Sequence, residues 1–172
     1  TTPASNSKDF YDQGKINFLQ TGDLNDSLIL ETTKKVTEKA IQEYSALKIY
    51  TSSSIVMAMY GATTGKLGLL GIDTTVNQAC CVFSESKYAD IEYYFFLFQA
   101  IRKELINLSK GGGQPNINQE LIKGFRVPIP SRREFSEILQ YLKRINESIS
   151  QKIKLTQQQI ELYIVFNSAV IS

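Results

Sequence analysis

The sequence predicts a mixed α/β protein: a domain with a twisted β-sheet and flanking helices, followed by a long C-terminal coiled-coil helix. Three observations carry this. Short apolar runs at 55–60, 67–72 and 79–83 are bounded by glycine and partly β-branched, so they read as strands. Apolar residues recur at helical spacing from Ile91 to Leu108. From Ser131 to about Asn167 there is neither glycine nor proline. The boundary between the two parts falls at 130, giving residues 1–130 and 131–172.

Taken in order, residues 8–30 read as loop and short strands, with Ile16, Phe18 and Leu19 ahead of the turn Thr21-Gly22-Asp23. Thr37 caps a short helix that carries Ala40, Ile41, Tyr44 and Leu47 on one face. The three strands follow. Asp90 then caps a helix whose face is Ile91, Tyr94, Phe95, Phe98, Ile101, Leu105 and Leu108. Its cluster Tyr93-Tyr94-Phe95-Phe96 suits either base stacking or, more simply, core packing. The glycines at 111–113 end it. Asn116 or Asn118 caps a brief helical turn up to Gly124. Phe125, Val127 and Ile129 alternate as in a strand, and Pro128 and Pro130 confine such a strand to an edge or an exit from the sheet.

Ser131-Arg132-Arg133-Glu134 has the form of a capping box. Beyond it Ile138, Leu142, Ile145, Ile149, Ile153, Thr156, Ile160 and Tyr163 form a coiled-coil seam with a stutter near Ile149. At about 1.5 Å per residue this helix is roughly 50 Å long. Either a partner helix covers the seam or the helix folds back on its own domain.

Composition narrows the chemistry. The chain has 172 residues and no histidine. That removes histidine bases, Ser-His-Asp triads and the commonest metal ligand. Lysine, tyrosine and carboxylate chemistry remain, but no spacing suggests a catalytic site or a metal site. The adjacent Cys80 and Cys81 read as strand residues in a reducing, cytoplasmic compartment. No run approaches the roughly 18 apolar residues of a membrane span. The polar start without methionine suggests a fragment or a processed chain.

Two turns stand out. The first strand runs into Tyr60-Gly61-Ala62-Thr63-Thr64-Gly65-Lys66, and about forty-five residues later comes Lys110-Gly111-Gly112-Gly113-Gln114-Pro115-Asn116. Glycines, amides, hydroxyls and lysines of this kind suit reading a surface. Amides match adenine, lysine matches guanine, and hydroxyls match either. The candidates for contacting DNA are Thr63, Thr64, Lys66, Lys110, Gln114 and Asn116, with Lys8 and Lys15 as further candidates for phosphate. A purely structural role is the alternative, with glycines permitting positive φ and Asn116 serving as a cap. Net charge is +2, yet residues 100–133 carry seven basic and two acidic residues. This stretch suits phosphate contacts or a solvated helix face. Residues 1–130 balance thirteen basic against thirteen acidic residues, which predicts weak, salt-sensitive DNA binding by the chain alone.

In order along the chain, 11–19 with Thr21-Gly22-Asp23-Leu24, 33–40, 59–68, 75–81, 112–117 and 127–130 resemble the specificity subunits of Type I restriction–modification systems. The resemblance covers one half of such a subunit: one target recognition domain and one spacer helix. It implies a non-catalytic protein that reads one half of a split site in double-stranded DNA. It implies a methyltransferase subunit and a restriction subunit as partners. S-adenosylmethionine and ATP would then belong to those partners, with no cofactor bound by this chain. The seam residues Ile138, Leu142, Ile145, Ile149, Ile153 and Ile160 would pair with a second spacer helix or with another copy. The competing reading is a helix-mediated assembly module with little DNA contact of its own.

Overall fold

A computed structural model describes residues 2–4, 6–84, 90–109 and 116–171. The chain divides into two compact units, Thr1–Ile129 and Pro130–Ser172.

Among the described residues, the first unit holds seven strands in two sheets rather than one. The three-stranded sheet has the order β3-β1-β6, from Lys34–Val36, Ile16–Leu19 and Thr75–Val76. β1 runs antiparallel to β3 and parallel to β6. The four-stranded sheet has the order β2-β5-β4-β7, from Ser27–Ile29, Leu67–Leu70, Ile55–Ala58 and Cys80–Phe83. β4 and β5 form an antiparallel hairpin, β4 pairs antiparallel with β7, and β2 pairs parallel with β5. The strand expectations at 55–60, 67–72 and 79–83 are met by shorter strands. β2, β3 and β6 are two or three residues long, too short to show a period in the sequence.

The alternation of side chains explains how the layers pack. β4 is buried along its whole length. Ile55 and Met57 face one cluster together with Leu67, Phe95, Phe98, Leu105 and Ile117. Val56 and Ala58 face the other way, onto a cluster shared with Leu19, Leu24, Ile29, Leu70, Val76 and Cys80. This second cluster joins the two sheets. A third, Phe18, Val36, Ala40 and Leu47, seats α1 (Lys8–Tyr11) and α2 (Glu38–Glu43) on the three-stranded sheet. Thr37 caps α2, its hydroxyl oxygen accepting from the Ala40 N–H at 3.3 Å.

The helix expected from Ile91 to Leu108 is broken. α3 spans Ile91–Ala100 and α4 spans Arg102–Leu108, with Ile101 at φ −89, ψ 5 between them. Asp90 caps α3. Phe95, Phe98 and Leu105 are buried, and Phe83 lies against Phe98 with ring centroids 4.7 Å apart, so these aromatics build the core. Leu108 does not join them and is 59% exposed. α5 follows at Gln119–Gly124, and residues 125–130 form no strand. There Pro128 and Pro130 lack the N–H that a ladder needs. Phe125 and Val127 pack onto the helix-side cluster, and the Tyr93 hydroxyl donates to the Pro128 carbonyl at 3.2 Å.

The second unit is one helix, α6, Arg132–Ile171. Its 40 residues correspond to about 60 Å, longer than the run to Asn167 suggested. The capping box is formed at its start. The Glu134 carboxylate accepts from the Ser131 N–H at 3.0 Å and from its hydroxyl at 2.7 Å, and the Glu134 N–H donates back at 3.4 Å. Along the seam Leu142 is half-buried, while Ile138 and Ile145 are 36% and 38% exposed. Ile149, Ile153 and Ile160 are about half exposed.

Candidate nucleic-acid interface

The first turn is closed by its own backbone. The Ala58 N–H donates to the Lys66 carbonyl at 2.9 Å, and the Gly65 N–H returns to the Ala58 carbonyl at 2.8 Å. Inside this pair the Lys66 N–H reaches the Thr63 carbonyl at 2.8 Å. The Thr64 hydroxyl donates to the Gly61 carbonyl at 2.6 Å. Gly61 and Gly65 stand at φ +88 and +78, where a Cβ is strained. Thr63 and Thr64 are half-buried, and Tyr60 and Lys66 are exposed. The result is a small, stiff projection that presents a hydroxyl edge and a lysine.

The end of the second turn lies beside it. Asn116 forms an isolated antiparallel bridge with Tyr60, and the Ile117 N–H donates to the Met59 carbonyl at 2.8 Å. Ile117 is fully buried and pins this junction. Asn118 is the cap of α5, accepting from the Leu121 N–H at 2.8 Å. Asn116 is therefore not the cap and is exposed. Lys110 and Gln114 lie outside the described residues.

Lys8, in α1, and Lys15, ahead of β1, are exposed on the part of the domain built around the three-stranded sheet. No hydrogen bond among the described residues joins either to the 61–66 turn. Of the basic stretch at 100–133, Arg102 is paired with Asp26 and Arg133 with Glu137. Lys103, Lys123, Arg126 and Arg132 are exposed. Sequence reasoning gave Asp26 no role. It sits at φ +65, its N–H donates to the Leu67 carbonyl at 2.8 Å, and its carboxylate accepts from the Leu67 N–H at 3.0 Å. Only the Asn25-Asp26 turn chemistry hints at this in the sequence.

Nucleophilic chemistry is suppressed at the two thiols. Burial pushes Cys80 up to about 12, with Asp23 and Cys81 adding to the effect. Burial also raises Cys81, and Lys123 partly offsets this. Among the described residues no group of His, Cys, Asp and Glu could hold a metal ion, and no helix is long and apolar enough to cross a membrane.

Known proteins share this fold. The specificity subunit of the Type I restriction enzyme EcoR124I/EcoR124II from Escherichia coli is 22% identical over 174 residues, covering 94% of this chain. The chain spans 43% of that relative's length. A chain solved in work on complex assembly and conformational transition of the type I R-M system superposes with a TM-score of 0.65 at 14% identity, covering 87% of this chain and 35% of that one. The HsdS subunit from Thermoanaerobacter tengcongensis superposes at 0.63 with 12% identity, over 87% of this chain and 34% of that one. At such identities the superpositions speak for the fold. The family described as Type I restriction modification DNA specificity domain matches residues 1–162. The chain belongs to that family.

Proposed function

We propose that residues 1–130 read one half of a split double-stranded DNA site and that residues 131–172 are the spacer helix of a Type I specificity subunit. The chain is non-catalytic in this reading. It places a methyltransferase subunit, which uses S-adenosylmethionine, and an ATP-driven restriction subunit on DNA in the cytoplasm. The supporting observation is the junction of the two turns: the Tyr60–Asn116 bridge gathers Thr63, Thr64, Lys66 and Asn116 at one end of the four-stranded sheet. Their amide, hydroxyl and ammonium groups match base edges in the major groove. Lys110 and Gln114 precede Asn116 in the sequence and are proposed as readers on residue type alone. Lys8 and Lys15 supply phosphate contacts, which give affinity and register but no sequence information.

The test is light scattering of the full chain with and without a matching methyltransferase subunit, followed by selection of duplexes from a random pool. A stable complex that enriches one sequence and binds more weakly as salt rises supports the proposal. A chain that forms no complex and enriches no sequence would end it. Nanomolar binding by the chain alone at physiological salt would contradict the near-neutral charge of residues 1–130.

A further inference from the structure

Leu67 is the first residue of β5 and follows directly on the 61–66 turn. Asp26 holds both of its main-chain polar groups, the carbonyl through the Asp26 N–H and the N–H through Oδ1. The same Oδ1 accepts from Nη2 of Arg102. Arg102 opens α4, and its stem lies against Gly65: a Cβ there would sit 2.9 Å from Cγ and 3.4 Å from Cδ of Arg102. The Arg102 and Asp26 side chains are 25% and 28% exposed, so salt screens this pair less than a surface pair. The turn is thus gripped at Leu67 by Asp26 and at Gly65 by Arg102, and one ion pair joins the two grips.

We infer that Asp26 and Arg102 are positioning residues for DNA reading: their pair fixes the 61–66 turn, and Arg102 serves the turn rather than a phosphate. This rests on the function proposed above. It carries an unusual sign. By charge alone, removing the Asp26 carboxylate should tighten binding to a polyanion. By positioning, it should weaken binding to the selected sequence.

The experiment uses the full chain, with the methyltransferase subunit where binding needs it, and the variants Asp26→Asn, Arg102→Met and Arg102→Lys. Affinity is measured for a selected duplex and a scrambled one. Amide exchange is followed at residues 64–67 and in β4. Asp26→Asn and Arg102→Met are expected to lose about tenfold or more on the selected duplex and to stay within about twofold on the scrambled one. Amides at 64–67 should exchange faster while β4 keeps its protection. Arg102→Lys keeps the charge and should recover most of the selected-duplex affinity. If Arg102→Met also exposes β4, Arg102→Lys alone carries the test, and a loss on both duplexes in that variant counts against the inference. Tighter or unchanged binding by Asp26→Asn overturns it. So does equal weakening on both duplexes by Arg102→Met with a salt slope lower by about one, the mark of a phosphate ligand. A wild-type chain that selects no duplex overturns the proposed function and this inference together. A wild-type chain that selects a duplex which Asp26→Asn binds equally well overturns this inference alone.

Discussion

Tyr60 and Asn116 face each other in an antiparallel bridge although β5, β6, β7, α3 and α4 intervene between them in the chain. The bridge sets Asn116 beside the 61–66 turn. A division of labour follows for the residues on it. Asn116→Ala should relax preference at one base position, at a cost of about 1–3 kcal/mol, and leave scrambled-duplex affinity unchanged. Lys66→Ala should do the same if Lys66 reads guanine, and should instead lower the salt slope by about one if it holds phosphate. Duplex selection with each variant and titrations over a range of salt check both.

The two turn glycines should differ in their tolerance of alanine. Nothing lies within 4 Å of a Cβ on Gly61, so Gly61→Ala carries only the strain of positive φ, about 1–2 kcal/mol. Gly65→Ala carries similar strain and also meets the Arg102 stem at 2.9 Å, so it should cost more. The excess should shrink when Arg102 is itself replaced by alanine, because the clash partner is gone. Urea unfolding of the two single variants, and of a double-mutant cycle with Arg102→Ala, measures that coupling.

Much of this is legible in the sequence. Long periodic segments announced helix over 91–108 and in α6, and polar residues announced the caps of α2, α3 and α6 at Thr37, Asp90 and Ser131. Local rules could not show the split into two sheets. Thr75–Val76 has no period of its own and becomes a strand only because it pairs with β1. The alternation of Phe125, Val127 and Ile129 misled for a related reason. Those side chains alternate, but prolines and the Tyr93 hydrogen bond bind the segment to a helix instead of a ladder. At the site, the sequence marked both turns by composition but counted Arg102 as part of a basic stretch. Its partner Asp26 is distant in sequence, and an ion pair of that kind leaves no pattern.

The two adjacent thiols should behave differently. Cys81 should react with iodoacetamide before Cys80, since Cys80 is the more deeply buried and Lys123 favours the Cys81 thiolate. Tandem mass spectrometry of the shared peptide, checked with Cys80→Ala, resolves the order. The pH dependence has a definite sign. Cys80 rises from 9.0 to about 12 on folding, so its contribution is complete below pH 9 and is lost as pH climbs toward 12. Cys80→Ala should flatten part of the alkaline loss of stability. Tyr11 and Tyr93, raised in the same direction by burial, should account for some of the remainder.

The long helix makes the last prediction. A lone helix in water gains little from its own hydrogen bonds, and most helical stability comes from covering an apolar face. On α6 that face runs through Ile145, Ile149, Ile153 and Ile160, which are 38–54% exposed. Toward the end Leu162, Tyr163, Ile164, Val165 and Phe166 are 62–70% exposed and point to every side of the helix. A second helix laid along the seam would bury the isoleucines at about 25 cal/mol per Å² of apolar surface. Replacing Leu142 and Ile149 together by Asp should therefore abolish association, with a second copy or with a partner subunit, and leave the melting of residues 1–129 unchanged. Gln151→Asp, off the seam, should leave association intact. Light scattering across a concentration range reads the first effect and thermal unfolding the second. A wild-type chain that stays monomeric at high concentration would remove the pairing with a second copy and leave a partner subunit to cover the seam.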